Sequence, residues 1–210
     1  MLENIAAFFQ AGGNFMYVIV AVLAVAAAVT LERVIFYFVI CAGNGRKLVA
    51  DLAKALNSDN VGEAQALASR KRSPLFVLVN TAIERYATGQ SPDDIQEAVE
   101  EAAIKEVPRM SLRLNYLALF ANVATLLGLL GTIQGLQVSF ASLASVEAAK
   151  KATLLAQGIS QAMNTTAFGL MVAVPCMIAF TMLSNKQQQL VKDLDETVVR
   201  VLNYLKKKRA

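Results

Sequence analysis

The sequence predicts an all-α membrane protein with three transmembrane helices and long cytoplasmic helical extensions. Three runs carry no charged side chain: residues 4–31, 114–146 and 152–185. Each run is longer than the roughly 18 residues needed to cross a hydrocarbon core of about 30 Å. Charged residues make up 17% of the 210-residue chain and hydrophobic residues 56%, whereas soluble domains average roughly 25% charged. These observations exclude a water-soluble globular protein.

The first run is expected to form a retained transmembrane helix over residues 15–40, not a secretory signal. A secretory signal begins with positive residues and ends at a small-residue cleavage site. Residues 1–32 contain no Lys or Arg, and the run ends at Glu32 and Arg33, followed by Phe36-Tyr37-Phe38. Aromatic residues gather at the membrane–water interface, so the cytoplasmic end of the first helix is expected here.

The distribution of basic residues predicts the orientation of the chain. Ten of the 20 Lys and Arg residues lie in 46–113 and seven in 186–210, against two in 141–158 and none before Glu32. Positive residues favour the cytoplasmic side. The expected order is an outer segment 1–14, a transmembrane helix 15–40, a cytoplasmic helical region 41–113, a second transmembrane helix 114–140, an outer link 141–158, a third transmembrane helix 159–183 and a cytoplasmic C-terminal helix 184–210.

Outside the three runs, apolar residues recur at helical spacing. Such a recurrence gives a helix one apolar face, and the stripe after the third run is expected to contact helices of this subunit or of a neighbouring one. The faces consist of Leu48, Leu52 and Leu56, then Leu75, Leu78, Val79, Ala82, Ile83 and Tyr86, and finally Leu190, Leu194, Val198, Val201 and Leu205.

Capping residues predict where the shorter helices begin. Asn60, with Glu63 three positions later, resembles a capping box. Ser73-Pro74 and Ser91-Pro92 each combine a capping residue with proline at the first helical position. The helix that starts after Ser91 is expected to run into the second transmembrane helix, with a kink near Pro108.

Composition excludes several kinds of chemistry. The chain has no histidine, so a histidine metal site and histidine acid–base catalysis are excluded, and no cofactor or metal is expected. Cys41 and Cys176 are too few for a disulfide framework and are expected to be buried free thiols. Ten basic and ten acidic residues balance in 46–113, which argues against nucleic-acid binding. The cluster 206–209 is expected to mark topology and to contact anionic lipid.

The second and third transmembrane helices contain polar residues but no charged ones. Thr132 lies eight residues from Phe140 and Thr166 seven from Ile159, so two antiparallel helices would place both hydroxyls about 11–12 Å below the outer surface. The alternative is that each threonine hydroxyl bonds a carbonyl of its own helix. A proton-moving protein needs an intramembrane acid or base, so the ionisable group must come from a partner if this chain conducts protons.

Glycines in the same two helices predict close helix packing. Gly131 and Gly135 have the GxxxG spacing that lets helix backbones approach each other. Gly128 and Gly169 are expected to act in the same way. Pro175 is expected to kink the third helix, with neighbouring helices satisfying the freed carbonyl.

Three strings of residues resemble one family of membrane proteins. The first is Leu114-Asn115-Tyr116-Leu117-Ala118, continued by residues 121–135 (ANVATLLGLLGTIQG). The second is residues 158–170 (GISQAMNTTAFGL), followed by Ala173-Val174-Pro175. The third is residues 12–17 (GGNFMY) with Glu32-Arg33. In this order they resemble the ExbB/TolQ/MotA proton-channel family, and three membrane spans resemble its ExbB/TolQ branch, because the MotA branch has four.

The resemblance implies an assembly and a function. It implies a homopentamer in the bacterial inner membrane around two copies of a single-span ExbD/TolR-like protein, whose membrane helix carries an aspartate. It also implies a proton path lined by Thr132 and Thr166, and by Gln161, Asn164 and Thr165 beside them. Proton flow into the cytoplasm would drive a TonB/TolA-like effector at the outer membrane. The family branch favours H⁺ over Na⁺.

The chain also departs from the family pattern. The best-known members have a glutamate at the position of Gln161, and prolines at those of Gln157 and Thr125. Gln161 takes up no proton, so a relay through this position is not expected. Stators of related machines such as gliding motors, and a non-conducting membrane scaffold, remain alternatives. An intramembrane enzyme is disfavoured because the chain has no nucleophile–base pair at membrane depth.

Overall fold

Every regular element that the computed structural model describes is helical. It describes residues 9, 12–58, 60–143 and 147–209. The elements are α1 (Asn14–Ile35), a π-helical turn (Phe36–Ile40), α2 (Gly45–Asn57), α3 (Val61–Ala68), α4 (Pro74–Ala87), α5 (Pro92–Ser111), α6 (Leu114–Leu143) and α7 (Ala148–Arg209). Within these residues, three helical stretches are long and apolar enough to cross a membrane. The prediction of an all-α, multi-pass membrane protein is confirmed.

The chain divides into two compact units. The apolar unit combines the described residues up to Leu31 with Arg113–Met182, and therefore contains most of α1, all of α6 and the first part of α7. The polar unit combines Glu32–Leu112 with the described residues from Leu183 onward. It contains the π-helical turn, α2 to α5 and the second part of α7.

Helix boundaries differ from the expected ones in two places. α5 does not run into α6: it ends at Ser111, the Leu112 N–H donates to the Pro108 carbonyl, and Arg113 adopts a φ of 64°. Residues with a side chain rarely adopt this left-handed conformation, which interrupts a helix. Pro108 itself lies within α5, and the helix ends three residues after it. In the expected link 141–158, α6 continues to Leu143 and α7 begins at Ala148.

The end of α1 contains a π-helical turn that the sequence did not predict. The Cys41 N–H donates to the Phe36 carbonyl over 2.9 Å, closing the wider ring of a π-turn. Within this turn Tyr37 is buried, with 1% of its surface exposed. Its hydroxyl donates to the Met110 carbonyl over 2.6 Å. This bond satisfies one of the carbonyls that the end of α5 leaves without an intrahelical partner.

The core of the polar unit consists of the predicted apolar faces. Leu48, Leu52 and Leu56 of α2 are buried, as are Leu78, Val79, Ala82 and Ile83 of α4. From α7, Leu194, Val201 and Leu205 are buried in the same cluster, and Leu190 and Val198 pack against it. The stripe of α7 therefore contacts helices of its own subunit. Both cysteines are buried free thiols, as predicted.

Capping hydrogen bonds explain the starts of α3 and α5. The Asp94 N–H donates to the Ser91 hydroxyl and the Ser91 N–H to the Asp94 carboxylate, which is a complete capping box. At α3, the Glu63 N–H donates to the Asn60 side chain, whereas the Glu63 carboxylate accepts from the Asn60 amide and not from its backbone. Ser73 makes no side-chain cap, and proline at the first position marks the start of α4.

The capping box predicts how stability depends on pH. Hydrogen bonds from Ser91, first its side chain and then its backbone N–H, hold the pKa of Asp94 below its ordinary value of 3.8. The stabilisation is present above that ordinary value and disappears as the pH falls through the lowered one. We expect Asp94→Asn to flatten the curve of thermal stability against pH in this acid range. Asp93→Asn, in the same turn but outside the capping box, is the matched control, and equal curves for both variants would contradict the assignment.

The basic cluster at the end of α7 lies far along the helix from the third apolar run. Residue 206 follows residue 183 by 23 positions, which is a rise of about 34 Å in an α-helix. Lys208 donates to the Leu56 carbonyl, and the Arg209 guanidinium lies 5.8 Å from the centre of the Tyr86 ring. These two side chains therefore contact α2 and α4 of their own unit, and the contact of the cluster with anionic lipid stays a prediction.

Candidate functional site

Small residues join α6 to α7 in the apolar unit. Gly128, Gly131 and Gly135 are all buried. A Cβ added at Gly131 would lie 2.3 Å from the Thr165 Cγ2 atom, and one at Gly135 would lie 3.2 Å from the Gly158 carbonyl oxygen. Because higher numbers on α6 meet lower numbers on α7, the two helices are antiparallel. We call this contact the glycine seam.

The seam brings Thr132 and Thr166 into one corner. The Thr166 hydroxyl donates to the Gly128 carbonyl over 3.1 Å, across the seam. In a regular α-helix the same carbonyl accepts the backbone N–H of the residue four positions later, which is Thr132. The two threonines therefore lie beside one carbonyl oxygen, and we call this place the threonine corner. Thr166 is level with Gly128, so it is one turn away from Thr132 and not at the same level.

Thr132 and Thr166 use their hydroxyl protons in different ways. The Thr132 hydroxyl donates to the Leu129 carbonyl of its own helix over 2.6 Å. This is a bond within one helix, of the kind considered as the alternative role, although it reaches three residues back and not four. The Thr166 bond is made between helices. Both side chains are half-buried in the isolated subunit, so part of each remains accessible to a neighbouring helix.

Thr165 lies inside the subunit. It has no exposed surface, and its hydroxyl is placed to donate to the Gly12 carbonyl at 2.7 Å and to the Gln161 carbonyl at 2.9 Å. Its methyl group packs against Gly131. Thr165 thus joins the residues before α1 to the seam, and it does not face outward from this subunit.

Gln161 and Asn164 lie on the flank of α7 opposite to Thr166. At about 100° per residue, Asn164 and Thr166 are rotated to opposite sides of Thr165, and Gln161 lies about 40° from Thr165 on the side of Asn164. A Cβ added at Gly13 would lie 2.3 Å from the Gln161 amide nitrogen, and Gly13 has a φ of +74°. The five residues expected along one path are therefore divided: Thr132 and Thr166 on one flank, Gln161 and Asn164 on the other, and Thr165 between them.

The seam includes the predicted contact of Gly169 and also Ser139, Gly158 and Ala162, which had no role assigned from the sequence. Ser139 contacts Gly158, where an added Cβ would clash with the Ser139 hydroxyl. Gly169 packs on the Ala124 carbonyl and on Gly128. The signal for these contacts is the series of small residues Gly158, Ala162, Thr165 and Gly169 at intervals of three or four. Pro175 lies within α7, whose helical structure continues on both sides of it.

The chemistry of the seam is that of uncharged hydrogen-bonding groups. α6 contains no ionisable side chain apart from Tyr116, and α7 has no charged residue between Lys151 and Lys186. Among the described residues, no group of three or more His, Cys, Asp or Glu side chains is placed to hold a metal ion. The site therefore offers hydroxyl, amide and carbonyl groups to whatever approaches it.

Comparison with known proteins identifies the family. The sequence pattern of the MotA/TolQ/ExbB proton channel family matches residues 70–196. The chain is 30% identical to the putative biopolymer transport protein ExbB-like 3 of Synechocystis sp., covering 80% of each chain. It is 36% identical to the Tol-Pal system protein TolQ of Pseudomonas aeruginosa, over 51% of this chain and 48% of TolQ, and thus spans about half the length of that relative. The chain belongs to the MotA/TolQ/ExbB proton channel family.

Proposed function

We propose that the chain is the ring-forming subunit of a proton channel in the bacterial inner membrane. In this proposal it converts proton-motive force into mechanical work on an envelope process of the TonB-dependent or Tol type. The observation that carries the proposal is the family match over residues 70–196, on a chain with three helical stretches able to cross a membrane. The names TolQ and biopolymer transport protein ExbB of the relatives support the kind of process.

A partner protein supplies the ionisable group in this proposal. The second and third apolar runs contain no Asp, Glu, Lys, Arg or His side chain. Proton transfer through a membrane usually needs such an acidic or basic side chain. Two copies of an ExbD/TolR-like protein, each with one membrane helix and one aspartate, would sit inside a homopentamer of this chain. A TonB/TolA-like effector would receive the motion.

The proposed orientation of the chain is supported by its basic residues. We propose a periplasmic N-terminus and a cytoplasmic C-terminus, because 17 of the 20 basic residues lie in 46–113 and 186–210. The polar unit would then lie in the cytoplasm. The threonine corner would lie in the outer half of the membrane, within reach of protons that enter from the periplasm.

The test is proton uptake by liposomes that contain the chain together with its single-span partner. We expect Thr166→Val, which keeps the shape of the side chain but removes the hydroxyl, to lower partner-dependent proton uptake at least several-fold. Thr181→Val is the matched control: its hydroxyl bonds the Met177 carbonyl within α7, away from the seam, and uptake should be retained.

Each result has a defined meaning. Unchanged uptake in Thr166→Val would remove Thr166 from the proton path. No uptake by the wild-type complex under an imposed proton gradient would contradict the channel and favour a membrane scaffold. Uptake of Na⁺ down an imposed Na⁺ gradient would contradict proton specificity.

A further inference from the structure

The outer face of α5 carries an exposed apolar side chain beside an exposed ion pair. Ile104 is 74% exposed, although it lies in the polar unit and outside the three uncharged runs. Next to it, the Lys105 ammonium lies 2.6 Å from the Glu101 carboxylate, and 70% and 68% of these two side chains are exposed. Water screens such a pair, so it contributes little to the stability of the subunit. Both charges are therefore available to another protein at little cost.

A second exposed ion pair borders a groove on α7. The Arg200 guanidinium lies 2.5 Å from the Glu196 carboxylate, and 52% and 44% of these side chains are exposed. The groove has a volume of about 540 Å³ and lies between this part of α7 and the start of α2. We call it the α2–α7 groove. Its lining includes Gly43, Gly45 and Arg46 from the α2 side and Asp193, Glu196 and Arg200 from α7.

The packing of α5 against α7 within the polar unit shows which residues are level with each other. The Gln187 amide of α7 donates to the Ser111 hydroxyl of α5 over 3.2 Å, so these two residues lie at one height. The helices are antiparallel, because residues near the start of α5 and near the end of α7 line one pocket. A residue of α5 is therefore level with the residue of α7 that lies as far after Gln187 as the first lies before Ser111.

The two ion pairs have complementary charges at these heights. Lys105 and Glu196 differ by three residues in height, which is about 4.5 Å, and Glu101 and Arg200 differ by the same amount in the same direction. Along the polar unit, α5 therefore presents a base and then an acid where α7 presents an acid and then a base. Rotation about a ring axis parallel to α7 leaves every residue at its own height. The α5 face of one copy and the groove of its neighbour would thus meet with opposite charges.

We propose that the outer face of α5 in one subunit docks on the α2–α7 groove of a second copy of this chain. The proposal rests on the proposed function, which requires a ring, and it names the surfaces that join the polar units. The α5 face and the groove are different surfaces, and a head-to-tail contact between different surfaces closes into a ring where the rotation permits. Ile104 would enter the groove beside Gly43 and Gly45, which have no side chain to exclude it. Its burial removes apolar surface from water.

Crosslinking between two tagged versions of the full chain, co-expressed with the single-span partner, tests this contact. One version carries Lys105→Cys and the other Glu196→Cys, so a short bismaleimide that spans the contact joins two differently tagged chains. The native thiols are buried, and the wild-type chain gives the background. We expect a yield several-fold above that of the matched control, in which Gln65→Cys, exposed on α3, takes the place of Lys105→Cys. Equal yields, or crosslinking of Lys105→Cys to the single-span partner instead, would overturn the proposal.

Charge reversal supplies a second measurement, the fraction of oligomer seen by native mass spectrometry. Glu101→Lys and Arg200→Glu should each lower this fraction several-fold, because each places like charges opposite each other. The double variant presents two bases on α5 to two acids on α7, so we expect it to regain most of the loss.

The outcomes separate the docking surface from the ring itself. If the losses of the two single variants add in the double variant, each arises within its own helix and the proposal is overturned. Wild-type oligomers that form without the crosslink from Lys105→Cys to Glu196→Cys overturn the docking surface alone. A wild-type chain that stays monomeric in the presence of its partner would instead contradict the ring-forming subunit of the proposed function.

Discussion

Gly169→Ala is expected to separate α6 from α7 and to lower the free energy of unfolding by about 1–3 kcal/mol, as overpacking does elsewhere. A Cβ at this position would lie 2.7 Å from the Ala124 carbonyl oxygen and 3.0 Å from the Gly128 Cα atom. Both contacts are with backbone atoms, so no change of side-chain rotamer relieves them. The helices must move apart, and the hydrogen bond from Thr166 to Gly128 must lengthen or break.

Thermal unfolding of the purified protein in detergent measures this effect, and Gly62→Ala is the matched control. Gly62 lies exposed in α3, and the nearest atom to an added Cβ is 3.7 Å away. Alanine is the better helix former by about 1 kcal/mol, so Gly62→Ala should raise stability slightly. The same substitution is therefore expected to act in opposite directions at the two sites. A Gly169→Ala protein as stable as the wild type would contradict the tight seam.

The helices themselves were predictable because their signals are local. An uncharged run of 28 to 34 residues has few structures available other than a membrane helix. The stripes of α2 and α7 follow from the helical period, because residues such as Leu52 and Leu194 need only a neighbouring apolar face to be buried. A capping residue stands directly before its helix, so Ser91 was also predicted from the sequence, whereas its capping box with Asp94 was found only in the structure.

The site was less predictable because its contacts join distant parts of the chain. The bond from Thr165 to Gly12 links residues 153 positions apart, and no periodicity reports it. Counting residues from each helix end placed Thr132 and Thr166 at one level, but the register of antiparallel helices is set by how Gly128, Gly131 and Gly169 fit. The break between α5 and α6 depends on the positive φ of Arg113. An arginine in the sequence does not predict this backbone conformation.

In the polar unit, Ile83→Ala is expected to lower the free energy of unfolding by about 2–5 kcal/mol. Ile83 of α4 has no exposed surface and belongs to the cluster formed by α2 to α5 and α7. Removing three carbon atoms there loses burial and leaves a cavity that close-packed neighbours fill only in part. Denaturant or thermal unfolding in detergent, followed by circular dichroism, measures the loss.

Ile104→Ala is the matched control, because it makes the same chemical change at a side chain of α5 that is 74% exposed. In the isolated chain it should change stability by less than about 0.5 kcal/mol, as surface substitutions do. Similar losses of stability in both variants of the isolated chain would contradict the assignment of Ile83, and not Ile104, to the core.

A loss of stability in Ile104→Ala that develops only in the assembled complex would have a different meaning. It would indicate that the outer face of α5 becomes buried against another protein on assembly, whereas the cost of Ile83→Ala, which arises within the subunit, should be present in both states.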